Sequence, residues 1–205
     1  MKKYILTFII TALVIGIAAV AGGFIAIKSL RQQANAKGFM HQNGCWRYNP
    51  KMDLSNPQQR SLIALVGLFA LRESEVLYFV AAEDSEGRPL NTQYNYELVG
   101  AAPSARYWSY TLYGEDYFLV KNAENKFGYN LESIEYMDDK DQEFSGKVNK
   151  YHRISISKEQ AGKNWLPMGK KNQDFRITLR LYNPTPDVYN NLESIELPTI
   201  RRIEQ

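Results

Sequence analysis

The sequence predicts a mostly β domain, a sandwich or a barrel, with one buried helix, and a single N-terminal transmembrane helix ahead of it. The first 31 residues contain a long uncharged stretch, and beyond residue 75 aromatic and β-branched residues recur in short segments. Glycine, proline and acidic residues separate these segments at short intervals, which is typical of antiparallel β-structure. The 205 residues are enough for one anchor and one domain of ordinary size.

The N-terminal segment predicts a membrane anchor over residues 1–31. Residues 4–27 carry no charge, and as a helix they reach about 36 Å, enough to cross a hydrocarbon core of ~30 Å. A secretory signal has a shorter apolar region. Residues 34–36 read Ala-Asn-Ala, the pattern of a signal-peptide cleavage site. The alternative is therefore a signal peptide that is removed by cleavage near Ala36. This site lies beyond the apolar stretch, behind Lys28 and Arg31, so an uncleaved anchor is favoured.

Charge on both sides of the anchor leaves its orientation weakly defined. A short basic N-terminus ahead of a large C-terminal domain usually stays inside the cell. The C-terminal domain is therefore expected outside the cytoplasm, which in a Gram-negative cell means a single crossing of the inner membrane with the domain in the periplasm. The flanking basic residues are Lys2, Lys3, Lys28, Arg31 and Lys37.

Two features of the sequence bear on self-association. Ala18, Gly22 and Ala26 recur at a spacing of four residues, which lets two membrane helices approach closely and so allows a homodimer. Cys45 is the single cysteine, so no intrachain disulfide forms. A small buried side chain is the expected role of Cys45, and a thiol crosslink between two chains is the alternative.

The net charge of +3 comes from the anchor rather than from the domain. Four of the 25 basic residues lie within residues 1–31, which hold no acid, so residues 32–205 carry 21 basic and 22 acidic residues. A nearly neutral domain lacks the electrostatic footprint of a nucleic-acid-binding protein. The basic residues beside the anchor are expected to contact lipid head groups.

Residues 32–56 are predicted to be a polar connector, and residues 57–205 the β-domain. Asn56 and Pro57 form a helix start, since asparagine caps helices and proline suits the first helical position. The apolar run over residues 61–72 is too short to span a bilayer. It predicts a helix buried against a sheet.

Seven segments predict strands: residues 76–82, 92–99, 106–113, 117–120, 151–157, 175–182 and 199–203. The segment 175–182 alternates most regularly, and one residue in two along a strand faces the same side of the sheet. Phe175, Ile177, Leu179 and Leu181 are expected to face inward. Arg176, Thr178, Arg180 and Tyr182 are expected to face the other way, and prolines end the strand.

Several blocks occur in a fixed order along the chain. They are LRESEVLYFVAAEDSEGRPLNTQYNYELVG from residue 71, ARYWSYTLYGEDYFLVKN from residue 105, NWLPMGKKNQDFRITLRLYNPTPDV from residue 164, and LPTIRRI near the end. Over residues 44–203 the chain resembles the short, singly anchored branch of a bacterial family called domain of unknown function 1214. The resemblance implies a jelly-roll-like β-sandwich and no established activity. Family members often carry Gly-Thr-Trp near the last strand, where residues 192–195 here read LESI.

Residue types needed for metal or nucleophilic chemistry are sparse. His41 and His152 are the only histidines and are expected to be structural or surface residues. The acidic triplet Asp139, Asp141 and Glu143 lacks the glycine of a calcium loop and is expected to be a solvated loop. Ser109 lacks a nucleophile elbow. No metal, cofactor or catalytic residue is therefore predicted.

Arginine and aromatic side chains form the candidate binding set. Guanidinium groups and aromatic faces bind sugars, carboxylates and phosphates. Alternation places three members on one face of their strand and two on one face of another. A polar ligand fits if both faces line one cavity; alternatively, these side chains fill the core and cover the sheet. The predicted ligand-binding residues are Arg88, Arg106, Trp108, Tyr110, Trp165, Arg180 and Tyr182.

Three functions are compatible with the sequence. The first is a non-catalytic, membrane-anchored envelope module that binds a small polar ligand, a glycan or a protein partner. The second is an enzyme that acts on an envelope substrate through the arginine and aromatic cavity. The third is a structural subunit of an integral-membrane complex. Few histidines and cysteines disfavour the enzyme, although carboxylates and tyrosines also perform acid–base chemistry.

Overall fold

The computed structural model of the protein describes residues 2–34, 40–49, 55–66, 71, 74–137 and 150–203. The chain divides into two compact units. A helical unit comprises Met1–Phe39 and Asp53–Ala70, and a sandwich unit comprises Met40–Met52 and Leu71–Gln205.

The helical unit contains α1 (Lys2–Ala34) and α2 (Pro57–Val66). Within α1, the 27 residues Lys3–Ser29 are long and apolar enough to cross a membrane. The two threonine hydroxyls of α1 bond within the helix: Thr7 donates to the carbonyl oxygen of Lys3 at 3.0 Å, and Thr11 donates to that of Thr7 at 2.9 Å. Such internal bonds suit an apolar environment, where an unpaired polar group is costly.

Helix α2 begins at Pro57 as expected, and the amide of Arg60 donates to the carbonyl oxygen of Asn56 at 3.0 Å. Among its side chains that the structure describes, Ile63 is half-buried and the others are exposed. The expected burial of this helix against a sheet is therefore not seen for these residues. The end of the predicted helical run, residues 67–70 and 72, lies outside the described residues.

The sandwich unit contains two sheets and a short helix. The strands of the six-stranded sheet, in spatial order, are β1 (His41–Asn43), β2 (Trp46–Tyr48), β3 (Val76–Ala81), β9 (Phe175–Pro184), β5 (Ala105–Gly114) and β6 (Gly128–Asn130). Those of the four-stranded sheet are β10 (Thr199–Ile203), β4 (Asn95–Ala101), β7 (Tyr151–Ser157) and β8 (Trp165–Pro167). Helix α3 covers Pro186–Asn190. Only β7 and β8 pair in parallel among the named strands.

One hydrophobic core receives side chains from both sheets. Leu179 and Trp108 come from the six-stranded sheet, and Leu98 and Ile154 come from the four-stranded sheet; each is at most 1% exposed. The alternation predicted for β9 is confirmed, since Phe175, Ile177, Leu179 and Leu181 are all buried. Two β-layers are therefore present, and they do not form a closed barrel.

The predicted connector contributes to the sheet, which corrects its boundary. Residues 41–48 form β1 and β2, and Trp46 and Tyr48 are almost fully buried. Strands of three residues are too short for alternation to be recognised, which is why the pattern missed them. The short strands β6 and β8 were missed for the same reason.

The predicted strand at residues 117–120 is reduced to one antiparallel bridge, between Leu119 and Tyr113, because the chain forms a tight turn there. Tyr117 has a φ angle of 67°, and the amide of Gly114 donates to the carbonyl oxygen of Phe118 at 2.8 Å. The carboxylate of Asp116 accepts the amide of Phe118 at 3.1 Å, as in an Asx turn. This local bonding outweighs the β-propensity of the aromatic residues.

Close approach of β5 and β6 requires glycine at residue 128. A Cβ atom at this position would overlap with the backbone carbonyl oxygen of Tyr110. We expect Gly128→Ala to lower the free energy of unfolding by about 2 kcal/mol, since backbone must move to relieve the overlap. Urea denaturation followed by near-ultraviolet circular dichroism measures the change. Ser109→Ala, at a half-buried position on β5 paired with Asn130, is the control; an equal loss in both variants would contradict the assignment.

Candidate functional site

The face of the six-stranded sheet that points away from the core carries tyrosine and arginine side chains. Strand register sets them side by side: Tyr78 lies opposite Arg180 between β3 and β9, and Tyr113 lies opposite Arg176 between β9 and β5. We call this surface the tyrosine–arginine face and define it as Tyr78, Tyr107, Thr111, Tyr113, Arg176, Arg180 and Tyr182. All seven side chains are half-buried.

Arg180 lies at the centre of the tyrosine–arginine face. One terminal nitrogen donates to the hydroxyl of Thr111 at 3.0 Å, and the other donates to the hydroxyl of Tyr113 at 2.8 Å. The guanidinium carbon lies 5.5 Å from the ring centre of Tyr113 and 5.8 Å from that of Tyr78. These contacts hold the planar cation in one orientation, because each neighbour is fixed on a paired strand.

No carboxylate forms an ion pair with Arg180 within the described ranges. A guanidinium group has five N–H donors, and the bonds to Thr111 and Tyr113 engage one donor on each terminal nitrogen. Donors therefore remain on a positively charged group whose protein partners are all neutral. An anion can bind to such a group without displacing a carboxylate.

Two further contacts extend the face along the strands. Tyr107 and Tyr182 pack edge to face with ring centres 5.6 Å apart, next to Arg180 in the register. At the other end, the guanidinium group of Arg176 lies 4.2 Å from the ring centre of Tyr117. Aromatic rings that flank a cation offer stacking surfaces beside a charged group, which is the combination used in recognition of acidic sugars and other polar anions.

The structure separates the predicted ligand-binding residues into different environments. Strands β5 and β9 are neighbours in one sheet, and Trp108 lies opposite Leu181 whereas Ser109 lies opposite Arg180. Trp108 and Tyr110 therefore point into the core, and Arg180 and Tyr182 point away from it. These four residues therefore do not line one cavity. Alternation assigns each residue to one of the two faces of its strand, but it does not determine which faces of two strands meet.

The remaining predicted residues lie apart from the tyrosine–arginine face. In the loop after β3, Arg88 is held by Asp84, with Nε 2.8 Å from Oδ2, and by Glu86 at 2.9 Å. This pairing lowers the pKa of Asp84 through hydrogen bonds from Arg88, against the effect of burial. Arg106 is exposed near the start of β5. Trp165 donates from its indole nitrogen to Ser157 Oγ at 3.0 Å.

A buried aromatic cluster surrounds His152 on β7. Its Nε2 lies 3.0 Å from the hydroxyl of Tyr110, and its ring stacks on Trp108 with ring centres 5.3 Å apart. Burial lowers the pKa of His152 to about 4 and raises the pKa of Tyr110. His152, Ile154 and Ile156 share the inward face of β7. In the sequence, Ile154 and Ile156 alternate with polar residues, and the same alternation indicates that His152 faces inward.

Metal-binding groups are sparse in the described part of the chain, where no three histidine, cysteine or acidic side chains could hold an ion together. Asp139, Asp141 and Glu143 lie outside the described residues. Cys45 is half-buried with Sγ 3.9 Å from Ser85 Oγ, and burial raises the pKa of its thiol. A raised pKa keeps the thiol protonated and less reactive.

Comparisons with known proteins bear on the family and the fold. A family model described as "Protein of unknown function (DUF1214)" matches residues 75–186. The VPA0106 protein from Vibrio parahaemolyticus is similar in structure, with 23% identity and a TM-score of 0.56, over 72% of this chain and 36% of that chain. An uncharacterized protein from Burkholderia cenocepacia has 13% identity and a TM-score of 0.43, over 71% of this chain and 33% of that chain. A search of curated proteins found no match.

Proposed function

The chain belongs to the DUF1214 family of proteins of unknown function, and we propose that it is a non-catalytic, membrane-anchored module that binds a polar anion through the tyrosine–arginine face. The ligand class is a molecule that presents a carboxylate, sulfate or phosphate group next to a ring, as an acidic glycan does. The 112 matched residues include β3, β5 and β9, the three strands that carry this face.

The orientation of Arg180 is the observation that supports this function. Its guanidinium group is held by two neutral hydroxyl groups, at 3.0 and 2.8 Å, and lies beside two tyrosine rings. By contrast, Arg88 and Arg47 each pair with a carboxylate at 2.8–2.9 Å. A cation fixed without a counter-charge is preorganised for an external anion, because little side-chain entropy is lost on binding.

The proposed location is the bacterial inner membrane, with the sandwich unit in the periplasm and a jelly-roll-like arrangement of its strands. The apolar segment Lys3–Ser29 supports a single crossing. In that setting, acidic envelope glycans and phosphorylated surface molecules supply the proposed ligand chemistry. Fusing a reporter that is active only outside the cytoplasm to the C-terminus tests the orientation, and an inactive but stable fusion would contradict it.

Binding measurements test the proposed function on the full chain in non-ionic micelles. Oligogalacturonate is the anionic probe, and a neutral galactose oligomer of equal length is its control. Because charge-assisted hydrogen bonds contribute ~1.5–3 kcal/mol, we expect Arg180→Met to weaken oligogalacturonate binding at least about tenfold. Isothermal titration calorimetry measures the affinity.

Arg106→Met is the matched variant, since it removes the same charge from the same sheet at an exposed position outside the face. We expect its affinity to stay within about twofold of the unaltered chain, as for a distant charge screened by salt. Equal losses in the two variants, or no binding of oligogalacturonate, phosphate or sulfate, would argue against the proposal. Turnover of the oligomer, lost in Arg180→Met, would instead indicate an enzyme.

A further inference from the structure

A cavity of about 430 Å³ lies in the sandwich unit, at β1, β2 and the chain from the end of α3. This volume is within the usual range for a small-molecule site. Exposed His41 and Glu193 let solvent reach the cavity, whereas Tyr48, 3% exposed, forms its inner wall. The lining residues are His41, Tyr48, Tyr189, Asn190, Asn191, Leu192, Glu193 and Ser194.

Hydrogen bonds fix the walls of the cavity. The side-chain amide of Asn43 donates to the carbonyl oxygens of Leu192 at 3.1 Å and Ile195 at 2.9 Å. The indole nitrogen of Trp46 donates to the carbonyl oxygen of Pro198 at 2.7 Å. All three bonds join the β1–β2 hairpin to a segment about 150 positions later in the chain, so the two walls are held together by the fold.

Aromatic rings and one carboxylate determine the chemistry of the cavity. The rings of His41 and Tyr48 lie 5.5 Å apart between centres, and Glu193 Oε1 lies 3.7 Å from His41 Nδ1. Burial raises the pKa of Tyr48, and the charge of Glu193 raises it further, so the carboxylate acts on the phenol. None of the eight lining residues, all of them described, is a lysine or an arginine.

Tyr48, which lines the cavity, carries an unsatisfied hydroxyl group. It is buried and has no hydrogen-bond partner among the described residues. A buried hydroxyl without a partner costs about 1–3 kcal/mol. Because this oxygen is an acceptor as well as a donor, the hydroxyl of a ligand that reaches it, such as the hydroxyl of choline, can satisfy it.

We propose that this cavity binds an organic ammonium group of the quaternary class, as choline carries. The half-buried ring of Tyr189 offers a π-face for the cation, and the carboxylate of Glu193 supplies the counter-charge. Tyr48, whose ring packs against those of His41 and Phe79, closes the cavity from inside. An anion is disfavoured, because it would meet this carboxylate without a compensating cation. The site differs from the tyrosine–arginine face in its residues and in the sign of its ligand's charge.

Choline and its neutral carbon isostere, 3,3-dimethylbutan-1-ol, test the proposal. The full chain is studied in non-ionic micelles at pH 8 by saturation-transfer difference NMR, which reads weak binding from the methyl signals of the probe. We expect saturable binding of choline and none of the isostere beyond partition into micelles. Equal binding of the two probes would overturn the proposal, since shape alone would then explain it.

Substitutions identify the residues. Glu193→Gln should weaken choline binding by about fivefold, the effect of one exposed ion pair, and Tyr189→Leu should weaken it through loss of a π-face. Glu196→Gln removes a nearby carboxylate that bonds to Tyr151 instead, and Arg180→Met alters the other site; both should bind choline normally. Equal losses in Glu193→Gln and Glu196→Gln would overturn the assignment.

Two lipid environments distinguish soluble ammonium compounds from lipid head groups. In phosphatidylglycerol nanodiscs, choline should bind as in micelles. If the signal of choline is suppressed in phosphatidylcholine nanodiscs, the lipid head group competes for the site and is the ligand. An unchanged signal would identify a soluble ammonium compound. Absence of binding in both micelles and phosphatidylglycerol nanodiscs would overturn the proposal.

Discussion

Trp108→Ala should lower the free energy of unfolding by about 3–5 kcal/mol, the usual cost of removing a large aromatic side chain from a core. Trp108 is fully buried and contacts the rings of Tyr110 and His152, with ring centres 5.3 Å away in each case. Alanine would leave a large void between the two sheets and would remove both ring contacts. Urea denaturation of the full chain in non-ionic micelles measures the loss.

Near-ultraviolet circular dichroism is the appropriate signal, because all three tryptophans lie in the sandwich unit. Arg106→Ala is the control on the same strand, two residues away and exposed; we expect a change within about 0.5 kcal/mol. Comparing Trp108→Ala with Arg106→Ala also distinguishes a ligand-binding role of Trp108 from a role in the core. A ligand-binding role predicts a stable variant with weakened affinity, whereas a core role predicts a destabilised one.

Acid should destabilise the sandwich unit through His152. Burial lowers the pKa of this imidazole from 6.5 to about 4 in the folded state, so the unfolded chain binds more protons between those values. The contribution of His152 is fully present above about pH 6.5 and is lost progressively as the pH falls to about 4, amounting to roughly 3 kcal/mol. Below about pH 4 both states are protonated at this position and its contribution changes no further.

The measurement compares urea midpoints from pH 7.5 to pH 4 for the unaltered chain and for His152→Phe. Phenylalanine keeps an aromatic ring against Trp108 and Tyr110 but does not titrate, so the variant should lose less stability over this range. It also leaves the hydroxyl of Tyr110 without its partner, which lowers stability at every pH by about 1–3 kcal/mol. If the urea midpoints of the two proteins fall in parallel as the pH is lowered, His152 is not the group that causes the loss of stability in acid.

Much of the fold was predictable because it depends on local patterns. The strands at residues 151–157 and 199–203 are confirmed to the residue, and β9 buries the four side chains expected to face inward. Hydrophobic alternation is a property of neighbouring residues and needs no partner strand to be recognised. The segment at residues 117–120 forms one bridge rather than a strand, because turn bonding to Asp116 outweighed its β-propensity.

The candidate sites were less predictable, because each depends on residues far apart in the sequence. Arg180 and Tyr182 were predicted to bind a ligand, but their neighbours Tyr78 and Thr111 come from β3 and β5. Trp108 and Tyr110 carry the same residue types and lie in the core. Aromatic residues occur on both faces of β5, so composition does not distinguish the inward face from the outward one.

By itself the sequence determined the apolar helix, the β-class of the domain, its near-neutral charge and its resemblance to one family. Only the tertiary structure decided that β5 and β9 are adjacent, so that Arg180 and Trp108 lie on opposite sides of one sheet. It also brought the β1–β2 hairpin to residues 189–194 and formed the cavity there. The physical reason is that strand pairing and cavity formation join distant segments, whereas alternation, length and charge are local.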